Sequence, residues 1–293
     1  MMARMPELSR RAILRLGVGA AAGAAGAYAS GSALHSPTTA APSVSMTSAG
    51  APLAPPPPLE PAPAAVQPTY VDGSFVSAAR GGVATNWAIA RPPGQTTALR
   101  PVIALHGKGQ DAAGVMAGGV EQGLAQAVAA GIAPFAVVAV DGGGSYWHKR
   151  ASGEDSGAMV LNELIPMLSS QGLDTSRVGF LGWSMGGYGA LLLGARLGPA
   201  RTAAICAVSP ALWTSSGAAA PGAFDGADDY AANSVWGLPQ LGQIPIRIDC
   251  GNSDPFFSAS KQFIAQLPSP PDGAFWSSQL PAEIAWMAPL LTA

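Results

Sequence analysis

The segment GWSMG at residues 182–186, centred on Ser184, constrains the fold of this chain more than any other feature. A short apolar run at residues 178–181 precedes it and is typical of a buried strand, and residues 188–197 follow it with the composition of a helix. A chain that passes from strand to helix so quickly strains the serine backbone and brings its neighbours into close contact, which glycine tolerates because it has no Cβ. The pattern therefore predicts a serine at a sharp strand–turn–helix junction, the arrangement called a nucleophile elbow.

Strand-like and helix-like runs alternate through most of the chain. Continuous apolar runs, such as residues 102–105 and 203–208, are typical of parallel strands that are covered on both faces. Residues 157–170 have apolar side chains at helical spacing and are predicted to form a helix with one apolar face. Residues 209–241 are irregular and are predicted to cover the candidate site. The predicted fold class is therefore α/β, with a mostly parallel, doubly wound sheet and helices on both faces. In such a sheet, functional residues lie at the carboxyl ends of the strands, and Ser184 is predicted to lie there.

The N-terminal part of the chain has the features of a targeting signal and a linker. Residues 1–29 resemble a twin-arginine export signal, with paired arginines, an apolar stretch and a small-x-small cleavage site. A retained membrane anchor is the alternative, although the apolar stretch is shorter than the roughly 20 residues that span a bilayer. Residues 30–69 are rich in Ala and Pro and are predicted to form an extended linker. We expect an exported protein, in the periplasm, bound to the cell wall or secreted, with residues 70–293 as its single folded domain.

The composition of the chain limits which partners, metals and cofactors can be expected. Only 11% of the residues are charged, the net charge is −2, and no basic stripe is present, which argues against nucleic acid as a partner. Cys206 and Cys250 have neither metal-binding nor redox-motif spacing, and we interpret them as buried thiols, with a disulfide as the alternative. The sequence contains no metal-binding or cofactor-binding motif, and no metal or cofactor is expected.

Four stretches between residues 74 and 290 resemble the esterase-type α/β-hydrolases related to S-formylglutathione hydrolase and to the exported mycolyltransferases: LHGKGQD, DGGGSYWHKR, LGWSMGGYGALLL and IDCGNSDPF. The resemblance implies an α/β-hydrolase fold with Ser184 as the nucleophile. It also implies an oxyanion hole that is built from the backbone N–H groups of Met185 and Lys108. The residues that it places around the pocket are His106, Gly107, Trp147 and Trp183.

The acid that would complete a catalytic triad follows the strand at residues 244–250, where Asp249 and Asp254 both qualify. Asp249 ends the strand, where half of the side chains point into the core. Asp254 lies in the next loop and is free to reach the serine, and the family pattern also places the acid there. Asp254 is therefore preferred.

The part of the chain that should carry the catalytic histidine departs from the family pattern. Relatives have a further strand there, then the histidine. Residues 268–271 contain three prolines in four positions, which no buried strand accommodates. Residues 272–276 resemble the segment that directly follows the histidine in relatives, so that Pro271 occupies the position of the base. We predict that the final strand and the triad histidine are both missing.

The chain contains three histidines that could serve as a substitute base. His35 lies in the linker. His106 is expected to have a structural role in the loop of residues 106–109, which we call the oxyanion loop. His148 lies at the same edge of the sheet as Ser184 and is the one substitute we retain, with Glu154 or Asp155 to orient it.

Together these features predict an exported serine carboxylic-ester hydrolase with impaired activity. Its partner would be a small acyl ester or an envelope lipid, and the N-terminal segment would hold it close to the membrane or the cell wall. Two alternatives remain open. One is an acyltransferase with the same mechanism, and the other is a non-catalytic envelope protein that binds lipids or glycolipids.

Overall fold

The computed structural model describes residues 66–267 and 280–292, which belong to the second of two units separated between Glu60 and Pro61. The predicted signal, most of the predicted linker and the segment around Pro271 lie outside the described residues. The described part contains a seven-stranded sheet in the order β1-β2-β4-β3-β5-β6-β7. The strands are β1 (Tyr70–Ser77), β2 (Val83–Ala90), β3 (Pro101–Leu105), β4 (Ala136–Val140), β5 (Val178–Trp183), β6 (Thr202–Val208) and β7 (Ile246–Asp249). The first two strands are antiparallel to their neighbours, and β3 to β7 are parallel.

Helices cover both faces of the sheet. They are α1 (Ala112–Met116), α2 (Val120–Ala129), α3 (Ser156–Ala158), α4 (Ile165–Leu168), α5 (Met185–Leu197), α6 (Ala227–Asn233), α7 (Phe257–Gln266) and α8 (Leu280–Thr292). Every residue of β3, β4 and β6 is buried, as expected for strands that are packed on both sides. On one face Phe180 and Ile205 pack with the leucines of α5, and on the other Leu181 and Cys206 pack with residues of α8. The α/β-hydrolase architecture that the sequence predicted is confirmed.

The sheet of the described residues ends at β7. The segment in which relatives have a further strand lies outside the described residues, so that the loss of this strand stays a prediction. The last helix, α8, packs on α2 and on strands β5 and β6. None of the helices in residues 66–267 and 280–292 is both long and apolar enough to cross a membrane.

The helix predicted at residues 157–170 is not one regular α-helix. Residues Met159–Leu164 form a π-helical turn between α3 and α4, and a 3₁₀ turn follows at Ser169–Gln171. Pro166 lacks an N–H and cannot donate to the carbonyl of Asn162, which interrupts the regular α-helical ladder. The predicted apolar face is nevertheless buried, through Met159, Leu164, Ile165 and Leu168.

Residues 209–245, between β6 and β7, form what we call the cap segment. It contains α6 and two 3₁₀ turns, Ser216–Ala218 and Pro239–Gln243, where the sequence predicted only irregular structure. The Tyr188 hydroxyl of α5 donates a hydrogen bond to the carbonyl of Asn233, which attaches the cap segment to the main domain.

Both cysteines are buried and free, as the sequence favoured. The register of β6 and β7 sets Cys206 opposite Arg247, so that Cys250 lies three residues further along and the thiols are not opposed.

Candidate active site

Ser184 lies at the junction between β5 and α5, as the motif predicted. Its backbone has φ 55° and ψ −119°, a conformation that residues with a side chain rarely adopt. The Ser184 N–H donates to the carbonyl of Val208 at 2.9 Å, and its own carbonyl accepts from Tyr188 and Ala211 at 3.1 and 2.9 Å. These three hydrogen bonds join the strained residue to β6, to α5 and to the start of the cap segment, and so help to hold its conformation in place.

The glycines of the motif allow two chain segments to touch. A Cβ at Gly186 would overlap the carbonyl oxygen of Leu105, and a Cβ at Gly182 would overlap the carbonyl of Gly186. Any other residue at position 186 would therefore push α5 away from the end of β3, the strand that leads into the oxyanion loop.

The backbone N–H groups of Lys108 and Met185, which the resemblance places in the oxyanion hole, lie in the loop after β3 and at the start of α5, and their role stays a prediction. The carbonyl of Gly107 accepts from His106 Nδ1 at 2.8 Å and from the N–H of Gln110 at 3.1 Å. Because C=O and N–H point in opposite directions across a trans peptide, the Lys108 N–H points away from His106. The Met185 N–H opens α5 and has no partner within the helix. Neither group donates to a carbonyl of the described turns and loops.

His106 has the structural role that the sequence assigned to it. It is fully buried, and its Nε2 accepts a hydrogen bond from the N–H of Gly142 at 2.9 Å while Nδ1 bonds to the Gly107 carbonyl. This pattern requires the neutral tautomer that carries its proton on Nδ1. Burial lowers the pKa of His106, which agrees with a neutral ring.

The ring of His148 is directed into the cap segment. It is fully buried and stacks on Phe224, with Nδ1 at 3.0 Å from the Lys149 carbonyl and Nε2 at 3.1 Å from the Ala223 carbonyl. Its nearest carboxylate is Asp229, with Nδ1 and Oδ1 3.6 Å apart, rather than Glu154 or Asp155.

The two carboxylates that were expected to orient a substitute base are used elsewhere. Glu154 pairs with Arg80 at 2.9 Å, and Asp155 accepts from the N–H of Ala158 at the start of α3. Neither described histidine hydrogen-bonds to Ser184, and a role for His148 as base stays a prediction.

The two candidate acids lie in different environments. Asp249 is 1% exposed and pairs with Arg247 at 2.7 Å on the face of the sheet that α8 covers. Asp254 lies in the loop after β7, is half-buried, and accepts a hydrogen bond from the N–H of Phe256 at 2.8 Å. Its position at the carboxyl edge is the one for which the sequence favoured it, and its role as the acid stays a prediction.

The predicted pocket residues differ in what they contact. Trp183 is half-buried, and its indole lies against Gly107, 3.4 Å from where a Cβ on that glycine would stand. Trp147 is fully buried and packs on Gly142 and Gly189, so that it is a core residue here and does not line an open pocket. Both neighbours have no side chain, and the indole fills the space that they leave.

Three residues of the site have backbone angles that the sequence did not predict. Tyr146, Trp147 and Ser209 have positive φ angles of 57°, 61° and 42°, all in loops at the carboxyl edge of the sheet. Tyr146 lies 5.7 Å beneath the Lys108 ammonium and 5.8 Å from the ring of Trp213 in the cap segment. These three positive φ angles had no sequence signal, because Tyr, Trp and Ser are not residue types that favour positive φ.

Among the described residues, one group of side chains is close enough to be considered for a metal. Ligand atoms of Cys206, Asp249 and Glu283 lie within 4.8 Å of one another, and all three side chains are buried. Burial and the nearby carboxylates raise the pKa of the Cys206 thiol, and the Arg247 guanidinium already neutralises one acid. A neutral thiol is a poor metal ligand, and we assign no metal to this group.

Comparison with known proteins agrees with this geometry. The model of the putative esterase family matches residues 84–268, more than half of the chain. Among solved structures, a ferulic acid esterase aligns with a TM-score of 0.63 at 17% identity, covering 77% of this chain and 98% of that chain. An S-formylglutathione hydrolase from Agrobacterium tumefaciens aligns with a TM-score of 0.58 at 20% identity, covering 76% and 95%. A fluorophosphonate-binding serine hydrolase of Staphylococcus aureus aligns with a TM-score of 0.57 at 18% identity, covering 75% of this chain and 98% of that chain.

At these identities, the structural likeness establishes the fold alone. No curated protein matches the chain in sequence. The match to the family model covers the turn around Ser184, the loop after β3 and strand β7. It supports an enzyme of the hydrolase type. The chain therefore belongs to the putative esterase family, with the α/β-hydrolase fold.

Proposed function

We propose that this protein is an exported serine carboxylic-ester hydrolase that forms an acyl-enzyme on Ser184. The observation that carries the proposal is the strained elbow, with Ser184 at φ 55°. The overlap that a side chain at Gly186 would cause shows how closely this turn packs against β3. A simple turn between strand and helix needs neither feature, whereas a nucleophile has to stand clear of the sheet to meet its substrate.

The chemistry follows from these positions. Ser184 Oγ attacks the ester carbonyl carbon, the bond to the alcohol oxygen breaks, and the alcohol leaves with a proton. Water then attacks the acyl carbon, the bond to Ser184 Oγ breaks, one proton of the water returns to Oγ, and the carboxylic acid leaves. The N–H groups of Lys108 and Met185 would stabilise the negative oxygen in both steps, and the loss of one such donor typically costs about 10²–10³ in rate.

The step that limits this chemistry is removal of the proton from Ser184 Oγ. Both described histidines bond to backbone groups, and among the described residues neither of them is hydrogen-bonded to Asp254. Loss of the histidine from a serine triad costs on the order of 10⁶ in rate and leaves about 10³–10⁴ over water. We therefore expect slow turnover, with the substrate held mainly by the pocket and the oxyanion hole.

Two other functions follow from the same geometry. An acyltransferase would use an alcohol in place of water in the second step. A non-catalytic protein that binds acyl chains or glycolipids is favoured by the engagement of both described histidines in backbone contacts.

Labelling of the purified protein with a fluorophosphonate probe tests the proposal. We expect slow labelling that is lost in Ser184→Ala and kept in Ser253→Ala, the same change in an exposed loop. Release of 4-nitrophenol from 4-nitrophenyl butyrate should likewise be slow in the wild type, lost in Ser184→Ala and kept in Ser253→Ala. Equal signals from wild type and Ser184→Ala would contradict an activated serine and favour the binding protein.

A further inference from the structure

A cavity of about 160 Å³ lies between the sheet and the helices α1, α2 and α8. Its walls are aliphatic apart from Trp183 and Glu283, and they include Val115, Val120, Val137 and Leu181. Protein interiors are packed closely enough that few voids exceed the size of a water molecule. An apolar cavity of this size beside a candidate active site is therefore a candidate for a binding site.

The size of the cavity limits its occupant. An engineered cavity of about 150 Å³ with aliphatic and aromatic walls stays dry and binds benzene. The cavity in this protein is of similar size and wall chemistry, so that it suits one aromatic ring or a short hydrocarbon chain.

Trp183 is the wall residue that lies next to the nucleophile in the chain. It lines the cavity, precedes Ser184 in the chain, and contacts Gly107 of the oxyanion loop. Trp183 is half-buried and Gly118 is exposed, whereas the other wall residues are buried, so that the cavity opens on the side of these two residues.

Glu283 is the acidic residue in the wall of the cavity. It is 4% exposed and lines the wall, and its carboxyl group lies within 4.8 Å of a ligand atom of Asp249. Asp249 is paired with Arg247, so that Glu283 is the acidic side chain of the wall. A carboxylate of an occupant would lie beside this acidic group in an apolar cavity, which disfavours an anionic occupant.

We propose that this cavity binds the acyl part of the ester substrate, and that the substrate class is esters of small, neutral, apolar acids. This assignment rests on the proposed esterase function. Short aliphatic chains of about six carbons and single aromatic rings fit the volume, whereas half-esters of dicarboxylic acids are excluded by charge.

Binding is tested without catalysis, with fluorobenzene as the probe and ¹⁹F NMR as the readout. We expect saturable binding to wild type, to Ser184→Ala and to Val83→Phe, which adds the same atoms at an exposed position of β2. Val120→Phe fills the cavity and should weaken binding at least tenfold. Ala104→Leu fills it from the sheet side and serves if Val120→Phe does not fold. Absence of binding to the wild type, or equal binding to the filled variants, would overturn the proposal.

Acyl selectivity is tested with 4-nitrophenyl esters of acetate, hexanoate and hemisuccinate. Wild type should prefer hexanoate to both other esters, and Val120→Phe should lower the hexanoate-to-acetate ratio of kcat/KM about tenfold, while Val83→Phe leaves it unchanged. Fluorobenzene binding with an unchanged ratio would overturn the acyl role of the cavity. Specific binding with no hydrolysis by any variant would refute the esterase function and the acyl role, and would leave the cavity as a ligand site.

Discussion

The N–H of Gly142 donates to Nε2 of His106 at 2.9 Å, and this hydrogen bond joins the loop after β4 to the loop after β3. The bond occupies the ring nitrogen that a general base would need. His106 therefore orders the two loops beside Ser184 and keeps the Gly107 carbonyl turned towards its own Nδ1.

The first prediction concerns the pH dependence of stability. Burial lowers the pKa of His106, so that below the unfolded-state pKa of about 6.5 the unfolded chain binds more protons. The free energy of unfolding should therefore fall as the pH drops below that value, by at most about 1.4 kcal/mol per pH unit from this group. His106→Gln, which cannot take up a proton, should flatten the slope in urea unfolding. Identical slopes for the two proteins would contradict a buried neutral ring.

The second prediction concerns the close contact beneath the elbow. Gly186→Ala should destabilise the fold by about 1–3 kcal/mol or more, because its Cβ overlaps the Leu105 carbonyl. Gly144→Ala is a matched control, since no atom lies within 4 Å of its Cβ position, and it should change stability by less than about 0.5 kcal/mol. Urea unfolding of both variants provides the comparison. A neutral Gly186→Ala would mean that the elbow is less closely packed than described.

The third prediction separates the two possible roles of His148. Its nitrogens face the carbonyls of Lys149 and Ala223, and a neutral ring can donate to only one of them. We expect His148→Ala to loosen the cap segment and cost about 1–3 kcal/mol in unfolding free energy, because it removes a buried hydrogen-bonding ring. Fluorophosphonate labelling of Ser184 should persist. Loss of labelling in a variant that still folds would establish His148 as the base.

The fourth prediction concerns the ion pair that fastens the cap segment. Arg150 donates two hydrogen bonds to Asp225, the N–H of Ala151 donates a third, and together they lower the pKa of Asp225 to about 2. This contribution is present above the unfolded-state pKa of about 4 and is lost as the pH falls towards 2.

Thermal unfolding at a series of pH values tests this pair. Asp225→Asn should lower the melting temperature near neutral pH, and its difference from the wild type should shrink as the pH falls from about 4 to about 2. Asp228→Asn, in the same cap segment, is the control. A difference that stays constant with pH would contradict the role of the pair.

Much of the fold could be predicted because the signals were local. The apolar runs of β3, β5 and β6 and the glycines around Ser184 each report on a few neighbouring residues, and the structure places them as expected. The π-helical turn at Met159–Leu164 was not predicted, because apolar spacing does not distinguish a π turn from an α turn.

The surroundings of the candidate site depended on contacts between distant residues. Asp249 and Asp254 are five positions apart and are the same type of residue, yet one is buried against Arg247 and the other lies in the loop at the carboxyl edge. Trp147 carries no signal of its own burial, which results from Gly142 and Gly189 on two other elements.

The sequence by itself determined the strained serine turn and the order of strands and helices, because these follow from glycine stereochemistry and from hydrophobic periodicity along the chain. Only the tertiary structure decided the partners of the two histidines and the cavity beside Trp183. Hydrogen-bond partners and cavities are set by where separate elements meet, and residues far apart in sequence share them.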